Sequence, residues 1–182
     1  FFAKKGFHVL GIDNDLRKYF FGRVGSTLKN KKILIKNFDK YKHHNFDIRN
    51  KKELIKIFKS NRNNIKVIIH CAAQPSHDWA YKDPFMDFDV NAMSTFSLLN
   101  LTKKFSPQAT FIFMSTNKVY GDNPNRLNLI EKNKRFELKR NDKFFNGINE
   151  TMSIDSCTHS FFGTSKLSAD LLVQEYGKNF GL

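Results

Sequence analysis

The chain has 182 residues, 40% of them hydrophobic, which suits one domain of ordinary size with a core of its own. Its formal charge of +14 comes from lysines and arginines scattered along the chain, notably in 29–66 and 132–143. They are not interleaved with stacking aromatics, so they read as a solvated surface with no nucleic-acid partner. No apolar run reaches membrane-spanning length and no signal peptide is visible. The two cysteines, Cys71 and Cys157, lack metal-ligand spacing and a disulfide framework, so the expectation is a cytoplasmic protein without a metal or a membrane partner.

Taken in chain order, "FFAKKG" reads as a helix end closed by Gly6, with basic residues in its last turn. "FHVLGID" follows as a short buried strand, and residues 43–48, "HHNFDI", form a weaker strand candidate. "KKELIKIFKSN" puts Leu54, Ile55 and Phe58 on one helical stripe. "IKVIIHCAA" is a β-branched run of strand length, in which Cys71 is expected to be a buried thiol. From about Pro84 the apolar spacing of "FMDFDVNAMSTFSLLNLTKKF" predicts a helix that ends before Pro107, and "ATFIFMST" predicts another buried strand. Residues 123–158 are polar and aperiodic, which predicts a long loop with local turns. From about Gly163 a last helix is expected, with Leu167, Leu171, Leu172 and Tyr176 as its apolar face. Strands that are continuous apolar runs, alternating with helices, predict an α/β chain with a doubly wound parallel sheet. Ligands then belong beyond the carboxyl ends of the strands.

Those ends carry the candidate residues. Asp13, closing the first strand, can accept two hydrogen bonds from a ribose diol, or it can cap the next helix. Asp47 lies at the end of the second. In "HCAAQPS" the small Ala72 and Ala73 either let a flat or phosphate-bearing ligand approach the backbone or simply admit a packed helix. The fourth strand ends in "MSTNKVYGD", which puts the hydroxyls of Ser115 and Thr116 at the mouth of the sheet, with Lys118 and Tyr120 close behind. Some forty residues on, "SFFGTSK" places Phe162 and Lys166 on one helical face. Together they suggest the hydroxyl and lysine of a short-chain-dehydrogenase-type site.

With "HCAAQPSHDWAYKDPFMDFDVNA", "FMSTNKVYGD", "GINETMSID" and "HSFFGTSKLSADLLVQEYG", essentially the whole chain resembles the extended short-chain dehydrogenase/reductase family. These are NAD-dependent epimerases and dehydratases of nucleotide sugars. Within the family, the segments look most like members that epimerise C2 of a CDP-linked dideoxyhexose. Members that dehydrate the sugar carry an Asp-Glu pair where this chain has Asn117 and Lys118. The resemblance implies a Rossmann-like domain over 1–182, NAD as cofactor, a nucleotide-sugar substrate and a homo-oligomer when full length. It implies that Thr116 hydrogen-bonds the reacting oxygen and that Lys166 holds the nicotinamide ribose and lowers the pKa of a neighbouring base. Asp13 corresponds to the ribose-binding acid, Asp47 to an adenine contact, Ala72, Ala73 and Gln74 to the loop over the cofactor, and Asn91 to a helix asparagine that supports the site. Ser115 completes the cofactor set, and Asn117 and Lys118 face the substrate, Lys118 toward its diphosphate or toward solvent.

Two departures stand out. Phe162 occupies the place of the family's tyrosine base, and a phenyl ring cannot take a proton. Tyr120, Cys157 and His159 are the titratable neighbours in sequence, while His77 and Trp79 are candidates to line a sugar pocket. The chain also opens without the strand and glycine-rich turn that hold the pyrophosphate in the family, and it ends before the family's substrate-binding part. It therefore reads as a truncated Rossmann-like fragment, expected neither to fold stably nor to turn over alone.

Overall fold

The computed structural model describes all 182 residues. Strand β1 (Val9–Ile12) pairs in parallel with β2 (Tyr41–His44), in a register that sets Val9 opposite Tyr41 and Ile12 opposite His44. The crossover between them carries the short helix α1 (Arg17–Phe21) and α2 (Leu28–Asn37). Helix α3 (Lys51–Asn61) leads to β3 (Val67–His70), and α4 (His77–Lys82) and α5 (Pro84–Phe88) follow. A π-helical turn at Asp89–Met93 joins α5 to α6 (Ser94–Phe105), and β4 (Thr110–Phe113) then pairs in parallel with β3. A hairpin of β5 (Leu129–Glu131) and β6 (Phe136–Leu138) precedes the long α7 (Ser160–Phe180).

Local chemistry explains most of the boundaries. Asn50 caps α3 by accepting the amide of Glu53 at 3.2 Å, and α5 starts with Asp83 accepting from Met86 at 2.9 Å, just before Pro84 at the first helical position. Gly6 ends the opening helical turn at φ +87°, the left-handed conformation that a Cβ would strain. Leu54 and Phe58 of α3 pack on Leu98 of α6, with Ile12, Ile68 and Phe111 from three strands laid against them. One core therefore spans both strand pairs, and each such side chain contributes roughly 1.5–3 kcal/mol by leaving water.

The fold is the expected α/β class, with differences in detail. The strands form two parallel pairs, β1–β2 and β3–β4, with no ladder between β1 and β3, so the expected single sheet is divided. The second strand lies earlier than 43–48, because Asp47 turns the chain by accepting the amide of Arg49 at 2.8 Å while its carbonyl accepts from Asn50 at 2.8 Å. The helix from Pro84 is interrupted by the π turn. The loop expected over 123–158 contains the β5–β6 hairpin, whose three-residue strands are too short to show a period. Helix α7 starts at Ser160, and its buried face is Phe162, Ser165, Lys166, Ala169 and Tyr176. Leu171 is exposed, and Leu167 and Leu172 are half-buried. Cys71 is exposed, contrary to expectation, because it follows the last residue of β3, where the chain opens to a cleft.

Candidate active site

A cleft of about 270 Å³ runs along the carboxyl ends of β1, β2 and β3, and its walls include Asp13, Asp47, Cys71, Ala72 and Ala73. Asp13 closes β1, with Oδ1 accepting from the Asp15 amide at 2.7 Å and the Thr27 hydroxyl at 2.8 Å. Its Oδ2 accepts no hydrogen bond from the chain and is free to meet a ligand. Asp47 is more committed. It accepts from Arg49 Nε and Nη2, each at 2.9 Å, and from Asn14 Nδ2 at 3.0 Å. The Arg49 guanidinium, through these bonds, holds the Asp47 carboxyl below the usual range. Ala72 and Ala73 give the cleft a floor without bulk.

Behind that floor lies a buried polar network. The Asn91 carboxamide oxygen accepts the Gln74 amide at 2.8 Å, and the two hydrogens of Nδ2 are shared among Gln74 O at 3.2 Å, Asp87 Oδ1 at 3.1 Å and Ser165 Oγ at 3.0 Å. Gln74 Nε2 reaches the same Asp87 oxygen at 2.8 Å. Burial pushes the Asp87 carboxyl up, against the lowering influence of Ser165, Gln74, His77 and Lys166. Gln74 and Asn91 thus sit inside the scaffold rather than on the cleft wall. They tie the loop after β3 to the π turn and to α7.

Lys166 is the next layer out. Only 5% exposed, it donates to the Met114 carbonyl at 2.8 Å, and its Nζ lies 4.2 Å from the Phe113 ring centroid. Burial lowers its pKa, opposed by the charges of Asp170, Cys71 and Asp87. His70, at the end of β3, is pushed down to about 4 by burial and by the Lys166 charge, and its Nε2 lies 2.9 Å from Thr95 Oγ1. It is therefore a neutral structural group.

Thr116 caps the helical turn Asn117–Tyr120, accepting from the Lys118 amide at 3.3 Å. That turn packs on the start of α7 because residue 163 is glycine: a Cβ there would sit 3.0 Å from the Lys118 carbonyl oxygen. Thr116 and Lys166 are so brought to the same strand end. Ser115 hydrogen-bonds Asp170, on the α7 turn after Lys166. Asn117 and Lys118 are exposed, and Asn117 Oδ1 accepts from the Thr116 hydroxyl at 3.4 Å.

Phe162 is 9% exposed and lies against the His77 imidazole, with centroids 4.9 Å apart. Of the three titratable neighbours in sequence, His159 and Cys157 are turned to backbone carbonyls. His159 Nε2 is 3.0 Å from the Val119 carbonyl oxygen, and Cys157 Sγ faces the Ile154 carbonyl at 3.4 Å. Burial, with the Glu150 and Asp170 charges, raises Tyr120. Trp79 packs on Tyr19 and donates from Nε1 to the Phe20 carbonyl at 3.2 Å, a structural placement. Arg49, Asp87 and Ser165 escaped the sequence reading. The spacing of Asp87 and Asn91 on one helical face was the available signal. No three His, Cys, Asp or Glu side chains are grouped to hold a metal.

An α/β fold with this hydroxyl, lysine and acidic strand end defines an extended short-chain dehydrogenase/reductase of the epimerase/dehydratase type. Residues 1–137 match the family described as GDP-mannose 4,6 dehydratase, and the chain belongs to that family. It is 32% identical to CDP-paratose 2-epimerase of Salmonella typhi over 75% of this chain and 38% of that enzyme. It is 31% identical to a UDP-glucuronate 4-epimerase of Thermodesulfobacterium geofontis, over 68% of this chain and 36% of the relative. Among solved structures, a mutant UDP-glucuronic acid 4-epimerase of Bacillus cereus, in complex with a fluorinated UDP-sugar and NAD, is 28% identical. It superposes with a TM-score of 0.67 over 99% of this chain and 48% of that one. Pal from Bacillus thuringiensis shares the fold at 22% identity, with a TM-score of 0.73 over 100% of this chain and 47% of that one. The chain thus spans less than half the length of these relatives.

Proposed function

We propose that the chain carries the NAD-binding and reaction-centre part of a nucleotide-sugar epimerase. The observation that supports this most is the single cleft holding Asp13, Asp47, Ala72 and Ala73, whose wall at Cys71 lies within reach of the Lys166 charge. The residues fit the cofactor. Asp13 Oδ2 is free for a ribose diol and would repel a 2′-phosphate, Asp47 lies across the same cleft for the adenosine end, and the two alanines admit a close approach. Bound NAD would accept hydrogen from the sugar carbon and return it. Lys166 holds the nicotinamide ribose, Thr116 fixes the reacting oxygen, and Asn117 and Lys118 meet the nucleotide sugar.

The substrate we infer is a CDP-linked dideoxyhexose, epimerised at C2, on the likeness to the Salmonella typhi enzyme. Exposed Asn117 and Lys118, in place of an acid pair, favour epimerisation over dehydration. The exposed aromatic face of Tyr81, Phe85 and Phe161 beside a wide apolar groove suits a homo-oligomer when full length. No helix is long and apolar enough to cross a membrane, and a cytoplasmic setting is the reading we adopt. A second reading, a cofactor-binding protein without turnover, is favoured by Phe162 alone.

The test is calorimetric titration with NAD and NADP, for the protein and for Asp13→Asn. NAD should bind in preference to NADP, and the substitution should weaken NAD about tenfold or more, the scale of a charge-assisted hydrogen bond. Equal binding of the two cofactors, or no effect of the substitution, would remove the reading.

A further inference from the structure

Phe162 leaves a reaction of this kind without a hydroxyl to take the sugar proton, and the structure sets one titratable ring against it. His77 opens α4 directly after the loop that floors the cleft, and its imidazole lies 4.9 Å from the Phe162 ring at 51°. Its Nε2 is buried and has no hydrogen-bond partner within the chain. Buried ring nitrogens are rarely left so, and an orphaned one needs an explanation. Within reach of the His77 charge lies Asp87, 1% exposed, with Oδ1 engaged by Gln74 and Asn91 and Oδ2 equally without a partner. The fold thus leaves a buried imidazole nitrogen and a buried carboxylate oxygen open near the ring that lacks its hydroxyl.

We propose that His77 Nε2 is the group that takes and returns the sugar hydroxyl proton, standing in for the oxygen that Phe162 lacks. The inference rests on the NAD-dependent reading above. The hydroxyl proton passes to Nε2 while the carbon–hydrogen electron pair, with its hydrogen, goes to the bound NAD and the C–O bond becomes C=O. Reversal of both transfers restores the alcohol on either face. Asp87 is a positioning residue: its negative charge steadies the imidazolium that the proton transfer creates. Lys166, one helical turn beyond Phe162, keeps its role toward the cofactor. The Phe162 ring packs against the imidazole at a tilt and limits its rotation. Tyr120, Cys157 and His159 are not needed for the transfer.

The experiment uses the protein as its gene encodes it, with NAD affinity, the NADH absorbance formed on adding CDP-sugars, and epimer turnover measured on each variant. Variants are His77→Gln, Phe162→Tyr and the double. A histidine-labelled NMR spectrum follows the His77 Nε2 resonance as the nucleotide sugar is added. The expected result is NAD affinity unchanged in His77→Gln and kcat lowered about a hundredfold or more, the weight of a general base. Turnover should return in the double variant, where the tyrosine hydroxyl supplies the base, and the Nε2 resonance should move with sugar in the parent protein. Wild-type turnover in His77→Gln overturns the proposal. So does an inactive parent that Phe162→Tyr alone makes active, which leaves the NAD-dependent reading intact. Absence of NADH formation in every variant fells that reading, and the proposal with it.

Discussion

Asn91→Leu tests the buried network more sharply than any change at the cleft itself. Leucine keeps the branched heavy-atom skeleton with bulkier ends, so the effect reports lost hydrogen bonds, with some crowding, and not a cavity. The Gln74 amide, in a residue 1% exposed, would lose its acceptor at 2.8 Å. An unsatisfied buried donor costs roughly 1–3 kcal/mol. The Gln74 carbonyl and Ser165 hydroxyl would lose a donor each, while Asp87 Oδ1 would keep the bond from Gln74 Nε2. The sum is about 3 kcal/mol, a shift of more than a hundredfold in the folding equilibrium. With a urea m-value of about 2 kcal/mol/M, the unfolding midpoint should fall by about 1.5 M. Trp79 is the only tryptophan and is packed on Tyr19 at 4.7 Å, so its fluorescence reports the loop side while far-UV circular dichroism reports the helices. A midpoint within about 0.3 M of the parent, at unchanged m, would refute the idea that this carboxamide joins three segments.

Exposed Cys71 should be alkylated by iodoacetamide before half-buried Cys157, and NAD should slow the labelling, as read by peptide mass spectrometry. His70 is neutral in the fold down to about pH 4, whereas in the unfolded chain it charges near 6.5. The unfolded state therefore binds the extra proton, and stability should fall as pH drops through that window; His70→Gln should flatten the slope in a urea series across it. Lys166→Met exchanges a desolvated ammonium for an apolar stem, so the unfolding midpoint should hold or rise while NAD affinity falls. A large drop in midpoint would make Lys166 a structural group instead.

Where the pattern was periodic and local, it was legible. The β-branched run of β3, the Leu54–Phe58 stripe of α3 and the Gly6 cap all follow from propensity and spacing. The acidic strand ends were legible too, because topology alone sends Asp13 and Asp47 to one cleft. The failures share a cause: each depends on a partner distant in sequence. The buried face of α7 is set by the Met114 carbonyl, Asn91 and the turn at Lys118, so polar Ser165 and Lys166 lie inward while Leu171 faces out. Cys71 sits in an apolar run but beyond the end of the ladder. The hairpin after Leu129 has strands too short for alternation to register. His77 was legible only as a candidate to line a sugar pocket, since its meeting with Phe162 spans nearly half of the chain.

The π turn at Asp89–Met93 carries the centre of the network. Asp87 and Asn91 still meet on one face, as they would in an uninterrupted α-helix, and the turn alters the phase of the residues that follow. Asn91 points inward to Gln74 and Ser165, while Thr95, just beyond the turn, returns its hydroxyl to the Asn91 carbonyl at 2.6 Å. Such turns weaken the helix ladder locally and occur often at functional sites. The same hydroxyl of Thr95 meets His70, so the turn also fixes the end of β3. Strand end, cleft floor and the Lys166 helix are thus joined through one irregular turn of five residues. That arrangement ties α5, α6 and α7 together, and leaves the exposed Asp13, Asn117 and Lys118 outside the buried network.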